Sequence, residues 1–226
     1  MNNSVGNTAR LLGAGLRALL VLTVICGVLY PLTVTGVAQT LFHAKANGSE
    51  ITSDGKVVGS ELIAQRYDLP LEKGQTTPTP DLRWFQPRPS NGLGENSVNT
   101  QYKLLLSGAT NLSGANKDLI KQVRDAKAAI IKDNSTATHR LTPSDVPADA
   151  VTSSGSGLDP HISPAYADLQ VHRVAERNHV SVARVQKLVD ENTDGRSLGF
   201  MGEPRVNVLR LNIALRELTT RDGDGS

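Results

Sequence analysis

Three residues close together in the chain, Ser156, Asp159 and His161, are of the types that hydrolases use as nucleophile, orienting acid and base. Such a triad is defined by geometry in space, and short spacing along the chain does not supply it. The nucleophile elbow of many hydrolases also needs the pattern G-x-S-x-G, whereas residues 155–157 read only Gly-Ser-Gly. Glycines permit unusual backbone angles, and an aspartate before a proline favours a turn. The pattern therefore favours a structured glycine loop over a catalytic serine.

A metal site is the second chemical possibility in this region. His161 and His172 could combine with Asp159 or Asp168, but the dense His, Cys and Asp spacing of zinc sites is missing. The single cysteine, Cys26, excludes an intrachain disulfide and a multi-cysteine metal site. We therefore expect this chain to hold no metal and no cofactor of its own.

Nucleotide and nucleic-acid binding are both weakly supported. A phosphate loop needs G-x-x-x-x-G-K-[ST], and Val57 stands after Gly55 and Lys56 where a hydroxyl residue is required. Residues 106–109 resemble the start of the ABC-transporter signature, but matches of four residues recur by chance. The 24 Lys and Arg residues against 22 Asp and Glu give a net charge of only +2. A nucleic-acid binder normally shows a strong basic excess, so we expect no nucleic-acid partner.

The most pronounced feature of the N-terminal region is an uncharged segment from Ala18 to Phe42. A helix needs about 20 apolar residues to cross the hydrocarbon core of a membrane, and this segment is longer. Pro31 removes a helix hydrogen bond and should kink the helix. Small residues such as Gly27 and Gly36 are typical of close contacts between membrane helices. The sequence predicts a transmembrane helix over 18–42, after a short cytoplasmic tail over 1–17.

Two questions about this segment remain open in the sequence. Residues 44–46, Ala-Lys-Ala, have the small-x-small form of a signal-peptide cleavage site, but the apolar stretch far exceeds the core of a typical signal peptide. An uncleaved anchor is therefore favoured. Arg10 and Arg17 precede the segment, and Lys45 and Lys56 follow it, so the charge bias is weak. The short tail before the segment favours a cytoplasmic N-terminus.

Residues 43–226 show helical patterns separated by loops rich in glycine and proline. Asn116 caps a predicted helix over 116–132, and Ser163 followed by Pro164 starts a second one. A third begins at Ser181. A fourth follows Pro204, although residues 206–213 also fit a strand.

Short strands are predicted at 56–63 and 150–152, and a loose polar tail from Arg221. The fold class is therefore α+β. One transmembrane helix precedes a single extracytoplasmic domain, over 43–226, with short strands and about four helices.

Five stretches of the chain resemble one known family. They read YPLTVTGVAQ at 30–39, ANGS with VGS and LIAQ within 46–65, FQPRPS at 85–90, SGSGLDPHISPA at 154–165 and GRSLGFMGEPRVNVL at 195–209. In this order they are similar to KdpC, the C-subunit family of the Kdp potassium-transporting ATPases. The chain departs from the family at 107–116 and at Asn192, where a histidine is frequent.

The resemblance implies a set of partners and a role. The partners are a channel-like A subunit that conducts potassium, a P-type ATPase B subunit that uses the ATP, and a small F subunit. The chain lacks the P-type phosphorylation motif, so the resemblance implies an accessory, non-catalytic subunit in the cell membrane. The family is described as a catalytic chaperone that raises the ATP affinity of the B subunit. Because ATP is cytoplasmic and the folded domain is expected outside, we expect indirect coupling.

Candidate residues follow from the same resemblance. We expect Pro31, Gly36 and Gln39 to contact membrane partners. We expect Arg88, Asp159, His161 and Arg205 to order the outer domain or its interface. Two other classes stay open at this point: a membrane-anchored extracytoplasmic sensor or binding module unrelated to transport, and a hydrolase secreted after signal cleavage.

Overall fold

The computed structural model of the chain describes residues 3–75, 78–90, 94–95 and 105–223. The chain divides into two compact units, Met1–Glu50 and Ile51–Ser226. Helices and strands are mixed, so the predicted α+β class with one N-terminal apolar helix is confirmed.

The first unit is built on one long helical run. It consists of α1 (Asn3–Val24), a π-helical turn (Ile25–Leu29) and α2 (Tyr30–Leu41), followed by the short α3 (His43–Ala46). The stretch Ser4–Leu41 is long and apolar enough to cross a membrane, with a mean hydropathy of 2.2 over its best window. Its 38 residues correspond to about 57 Å of helix, well beyond the ~30 Å hydrocarbon core.

The π-helical turn has a local cause. Pro31 has no backbone N–H, and its ring would clash with the carbonyl of Gly27 four residues earlier in a regular α-helix. The wider turn over Ile25–Leu29 lies immediately before Tyr30 and Pro31 and accommodates this clash. The predicted disturbance at Pro31 therefore appears as an extra-wide turn within a continuous helical run.

A hairpin of β1 (Glu50–Ser53) and β2 (Lys56–Ser60) follows, all of it in the second unit except Glu50, the last residue of the first. Asp54 and Gly55 form its two-residue turn with φ values of 51° and 73°, the backbone of a type I′ turn. Gly59 of β2 lies against neighbouring side chains, because an added Cβ would be 2.0 Å from Gln65 Nε2 and 2.9 Å from Leu209 Cδ2.

The short strands β3 (Gly94–Glu95) and β4 (Leu105–Leu106) pair antiparallel, and α4 (Lys117–Asn134) follows. The side chain of Asn116 accepts hydrogen bonds from the backbone of Asp118 and Leu119, so the predicted cap is confirmed. The short strand predicted over 150–152 is wrong, because α5 (Ala148–Val151) forms a helical turn there.

The reason for the error at 150–152 is a tertiary contact. Asp149 on this turn accepts hydrogen bonds from the backbone N–H and the hydroxyl of Ser163, at 2.7 and 2.9 Å. Local β-propensity is a weak preference that such contacts override.

The C-terminal half contains three longer helices and a small sheet. In chain order they are β5 (His161–Ile162), α6 (Pro164–Arg177), α7 (Val182–Glu191), β6 (Thr193–Asp194), β7 (Arg205–Asn207) and α8 (Val208–Gly223). The sheet order is β5-β7-β6, with both pairs antiparallel. The stretch 206–213, open to either reading in the sequence, ends a strand and begins a helix. The helix continues to Gly223 and so includes Arg221, from which a loose tail is predicted.

A turn and the coil that follows it, over 82–86, lead into the core of this unit without any strand partner among the described residues. Phe85 at its centre is fully buried. A buried backbone group without a hydrogen bond costs about 1–3 kcal/mol, so the segment needs partners from elsewhere.

Side chains of α6 and α8 supply those partners. Asn212 accepts from the N–H of Phe85 and donates to its carbonyl, both at 2.9 Å. Gln170 likewise accepts a hydrogen bond from the N–H of Gln86 at 2.7 Å and donates one to its carbonyl at 3.1 Å. The two amide side chains take the place of a neighbouring strand.

Arg173 on α6 completes the arrangement. Its guanidinium donates to the carbonyls of Leu82 and Trp84, to Gln170 Oε1 and to Asn134 Oδ1 on α4. The side chain is only 2% exposed. One buried cation therefore holds α4, α6 and the core segment together.

We predict that Gln170→Leu lowers the free energy of unfolding by about 2–4 kcal/mol, because both backbone groups of Gln86 lose their buried partner. Gln122→Leu is the matched control on the exposed face of α4, with an expected effect within about 0.5 kcal/mol. Denaturant unfolding of the full chain, followed by the fluorescence of Trp84, measures both. Equal effects for the two variants would show that the core segment does not depend on this pairing.

Candidate functional site

The glycine loop singled out in the sequence carries a connected chain of charged groups. Asp159 lies between Arg88 and His161: its Oδ2 is 3.5 Å from Arg88 Nη1, and its Oδ1 is 3.1 Å from His161 Nδ1. The same Oδ1 accepts a hydrogen bond from the backbone N–H of His161 at 3.0 Å. All three side chains are partly buried. Three of the four predicted outer-domain residues are thus brought together.

The loop is also fixed by its backbone. Ser90 donates to the carbonyl of Gly157, and the N–H of Ala64 donates to the carbonyl of Leu158 at 2.9 Å. The N–H of Val208, the first residue of α8, donates to the carbonyl of Pro160 at 3.0 Å. Gly157 has φ of 69°, which a side chain rarely tolerates. Segments distant in sequence therefore converge on this loop.

Arg205, the fourth predicted residue, lies on β7 and outside this chain of charges. His161 is opposite Asn207 in the sheet register, and Arg205 lies two residues before Asn207, on the same face of the sheet. Its Nε is buried and has no hydrogen-bond partner among the described residues.

The geometry of the serine is not that of a catalytic triad. Ser156 Oγ is 3.3 Å from Ser154 Oγ and accepts a hydrogen bond from the N–H of Leu158 at 3.1 Å. The ring of His161 instead contacts Asp159.

Within the described ranges, no group of three His, Cys, Asp or Glu residues is placed to hold a metal ion.

The predicted membrane-contact residues lie on α2. Pro31 and Gly36 are exposed, and an added Cβ at Gly36 would meet no atom within 4 Å. Gln39 forms a reciprocal amide pair with Asn47, at 3.2 and 3.0 Å, which ties the end of α2 to the residue after α3. Gln39 therefore has a role within the chain that sequence reasoning did not predict.

An apolar loop between β6 and β7 was not among the predicted sites. Ser197 and Met201 pair through two backbone hydrogen bonds of 2.8 and 2.9 Å, and Arg196 forms an ion pair with Glu203 at 3.0 Å. At the tip, Leu198 is 82% exposed and Phe200 73%.

The tip also carries backbone strain. Leu198 has φ of 54°, which is uncommon for a bulky side chain and costs on the order of 1 kcal/mol or more. Two large apolar side chains held outward in a strained turn are a candidate contact surface. The sequence signal for this surface is the run Leu-Gly-Phe-Met between Gly195 and Gly202. A tight turn cannot bury large apolar side chains within itself, so such a run indicates an exposed apolar surface.

The sequence pattern also gave no indication of a contact between two histidines, His139 and His172. The rings of His139 and His172 stack, with centroids 4.0 Å apart and planes 5° from parallel. Burial, and next the proximity of His139, lower the pKa of His172 below its ordinary value. Asp145 and Asp168 line the same cleft. The two histidines are 33 positions apart in the chain, so no local pattern indicates their contact.

We predict that His172 makes the stability of the chain depend on pH. Because its folded-state pKa is lowered, the stabilisation is complete above the unfolded value of about 6.5 and is lost as pH falls through the lower folded pKa. His172→Gln should therefore flatten the decline in melting temperature between about pH 7 and pH 5. His179→Asn, at an exposed position whose positive φ suits Asn, is the control and should keep the wild-type slope. An unchanged slope in His172→Gln contradicts the assignment.

Comparisons with known proteins agree on one family. The family model described as "K+-transporting ATPase, c chain", KdpC, matches residues 12–217. Proteins named "Potassium-transporting ATPase KdpC subunit" are similar over nearly the whole chain. The protein of Streptomyces avermitilis is 78% identical over 96% of this chain and 98% of its own length, and that of Streptomyces coelicolor is 68% identical over 96% and 97%.

A more distant relative supports the same assignment. The protein of this name from Mycobacterium tuberculosis is 42% identical over 90% of this chain and 96% of its own length. The match over residues 12–217 includes most of the apolar helix, the glycine loop and the apolar loop tip. The chain therefore belongs to the KdpC family, the c chains of potassium-transporting ATPases.

Proposed function

We propose that this chain is a non-catalytic, single-pass membrane subunit of an ATP-driven potassium uptake complex. The observation that carries the proposal is the distribution of its apolar surface. In the first unit, the candidate span has none of its most apolar window buried. In the second unit, Leu198 and Phe200 are held outward at a loop tip. Large apolar surfaces exposed to water are costly, and they mark membrane or protein contacts.

The partners in this proposal are the channel-like A subunit, the P-type ATPase B subunit and the small F subunit. The B subunit forms the aspartyl-phosphate and uses the ATP. The engagement of Ser156, Asp159 and His161 in internal contacts supports a role without chemistry for this chain. The chain then contributes binding energy that stabilises the assembled complex.

In the membrane, the N-terminus is cytoplasmic and the second unit is extracytoplasmic. The short, basic stretch with Arg10 and Arg17 before the span supports this orientation. ATP is then on the opposite side of the membrane from the folded domain. The effect on ATP affinity is therefore indirect: the chain binds one conformational state of the complex better than another and shifts the equilibrium that governs ATP use.

The N-terminal helix packs on the channel-like subunit. Gly36 is exposed and has no side chain, so a partner helix can approach the backbone closely there. Pro31 contributes through the π-helical turn that precedes it, which sets the path of the helix. Gln39, paired with Asn47, keeps the end of α2 in a defined form next to the partner.

The outer-domain residues order the surface that carries the contact. Arg88 and Asp159 fix the glycine loop, and His161 joins that loop to the sheet. Arg205 begins β7, directly after the apolar loop tip. The tip formed by Leu198 and Phe200 is the surface that meets another subunit of the complex.

The double variant Leu198→Ser/Phe200→Ser tests this contact. Removing two large buried side chains from an interface should weaken association about tenfold or more. We expect a matching loss of this chain when the complex is purified through a tag on the channel-like subunit and washed at increasing detergent. Potassium-stimulated ATPase activity should fall in parallel.

Leu71→Ser is the matched control, at a separate leucine of the same unit that is 58% exposed. It should leave recovery and activity unchanged. The melting temperatures of all variants identify any loss of folding. If the double variant is folded and is recovered as fully as the control, the loop tip is not the contact surface.

A further inference from the structure

A cavity of about 200 Å³ lies in the second unit between α4, α6 and the segment over 80–90. Most of its wall is apolar, with contributions from Leu82, Pro87, Ala126, Ile130 and Ala150. Binding sites for small molecules are typically cavities with apolar walls and a few fixed polar groups.

The first polar group in the wall is the guanidinium of Arg173. All of its hydrogen-bond acceptors are neutral: two backbone carbonyls, Asn134 and Gln170. No carboxylate lies within ion-pair distance of Arg173 in the part of the chain that the structure describes. A guanidinium has five N–H groups, and the single bond from Nη2 leaves one of them for another acceptor.

Arg173 remains charged despite its burial. Desolvation lowers the pKa of Arg173 to about 10, which leaves the group protonated at neutral pH. Asp133 and Asp81 attract this charge from beyond ion-pair distance, but a buried charge without a counter-charge in direct contact is costly. An anionic group bound in the cavity would offset that cost.

The second polar group is the hydroxyl of Tyr166, whose side chain is 1% exposed. Across the described residues, this hydroxyl makes no hydrogen bond to another protein group, and its oxygen is not among the fully enclosed atoms without a partner, so it is open to the cavity. Burial raises the pKa of Tyr166, so the hydroxyl keeps its proton and can donate it to an acceptor. Tyr166 and Arg173 both line the cavity.

Of the charged groups around the cavity, Arg173 is the one that favours an anion. Arg66 and Arg88 also line it, but they form ion pairs with Asp68 and Asp159, and Asp133 is the acidic residue of the lining. The polar end would bind a carboxylate, and the apolar wall fits a hydrocarbon body better than the hydration shell of an inorganic ion.

We propose that this cavity binds a small organic carboxylate, with the carboxylate accepting hydrogen bonds from Arg173 Nη2 and the Tyr166 hydroxyl. The site lies outside the contacts assigned to the partner subunits, so it adds a ligand to the proposed function without depending on it.

Benzoate, acetate and inorganic phosphate serve as probes for titration of the purified full chain at constant ionic strength. The readouts are the fluorescence of Trp84, whose carbonyl accepts a hydrogen bond from Arg173, and the melting temperature. We expect saturable benzoate binding, with acetate and phosphate at least about tenfold weaker because they lack an apolar body.

Two variants test the assignment of the site. Tyr166→Phe removes only the hydroxyl and should weaken benzoate binding about three- to tenfold. Ala126→Leu fills the cavity from α4 and should weaken it more than tenfold. Tyr30→Phe makes the same chemical change on the N-terminal helix and should leave binding unchanged.

Three results would overturn the proposal. The first is the lack of saturable benzoate binding to the folded chain. The second is binding that Tyr166→Phe and Ala126→Leu leave intact in variants of normal melting temperature. The third is phosphate binding as tightly as benzoate, which would make the site a simple anion site and not one for an organic carboxylate.

Discussion

The second unit depends on how the hydrogen-bonding groups of the backbone at residues 82–86, around the buried Phe85, are satisfied. This segment has no neighbouring strand among the described residues, yet side chains from α6 and α8 match its polar groups. Gln170 and Asn212 each pair with one residue in the manner of a strand, and Arg173 covers two further carbonyls. Asn178, at the end of α6, donates to the carbonyl of Arg83 at 2.7 Å. Because an unmade bond at the buried groups is costly, the segment fixes the positions of both helices relative to each other.

Local signals in the sequence were sufficient for the helices and insufficient for the contacts between them. The caps at Asn116 and Ser163 operate within three residues, so the pattern predicted both helix starts correctly. The pairing of Gln170 with Gln86 spans 84 positions and that of Asn212 with Phe85 spans 127. No periodicity carries such information. The wrong strand at 150–152 has the same origin, because the contact of Asp149 with Ser163 decides that turn.

The same division holds for the candidate site. Motif resemblance indicated Arg88, Asp159 and His161, and the structure brings their side chains together. Nothing in the local pattern indicated the stacking of His139 on His172 or the cavity beside Tyr166 and Arg173. The residues whose types could carry out chemistry, Ser156, Asp159 and His161, instead form contacts that hold loops and helices in place. What this leaves for partners is apolar: the N-terminal helix in one unit and the tip at Leu198 and Phe200 in the other.

We propose that the chain acts through binding, by shifting the state of a potassium-transporting ATPase. The most direct measurement is the ATP dependence of potassium-stimulated hydrolysis by the co-expressed partner subunits, purified with and without this chain. We expect a higher KM for ATP when the chain is absent, with restoration when the purified chain is added back. A complex that assembles without the chain and shows the same KM and the same maximal rate would rule out this role.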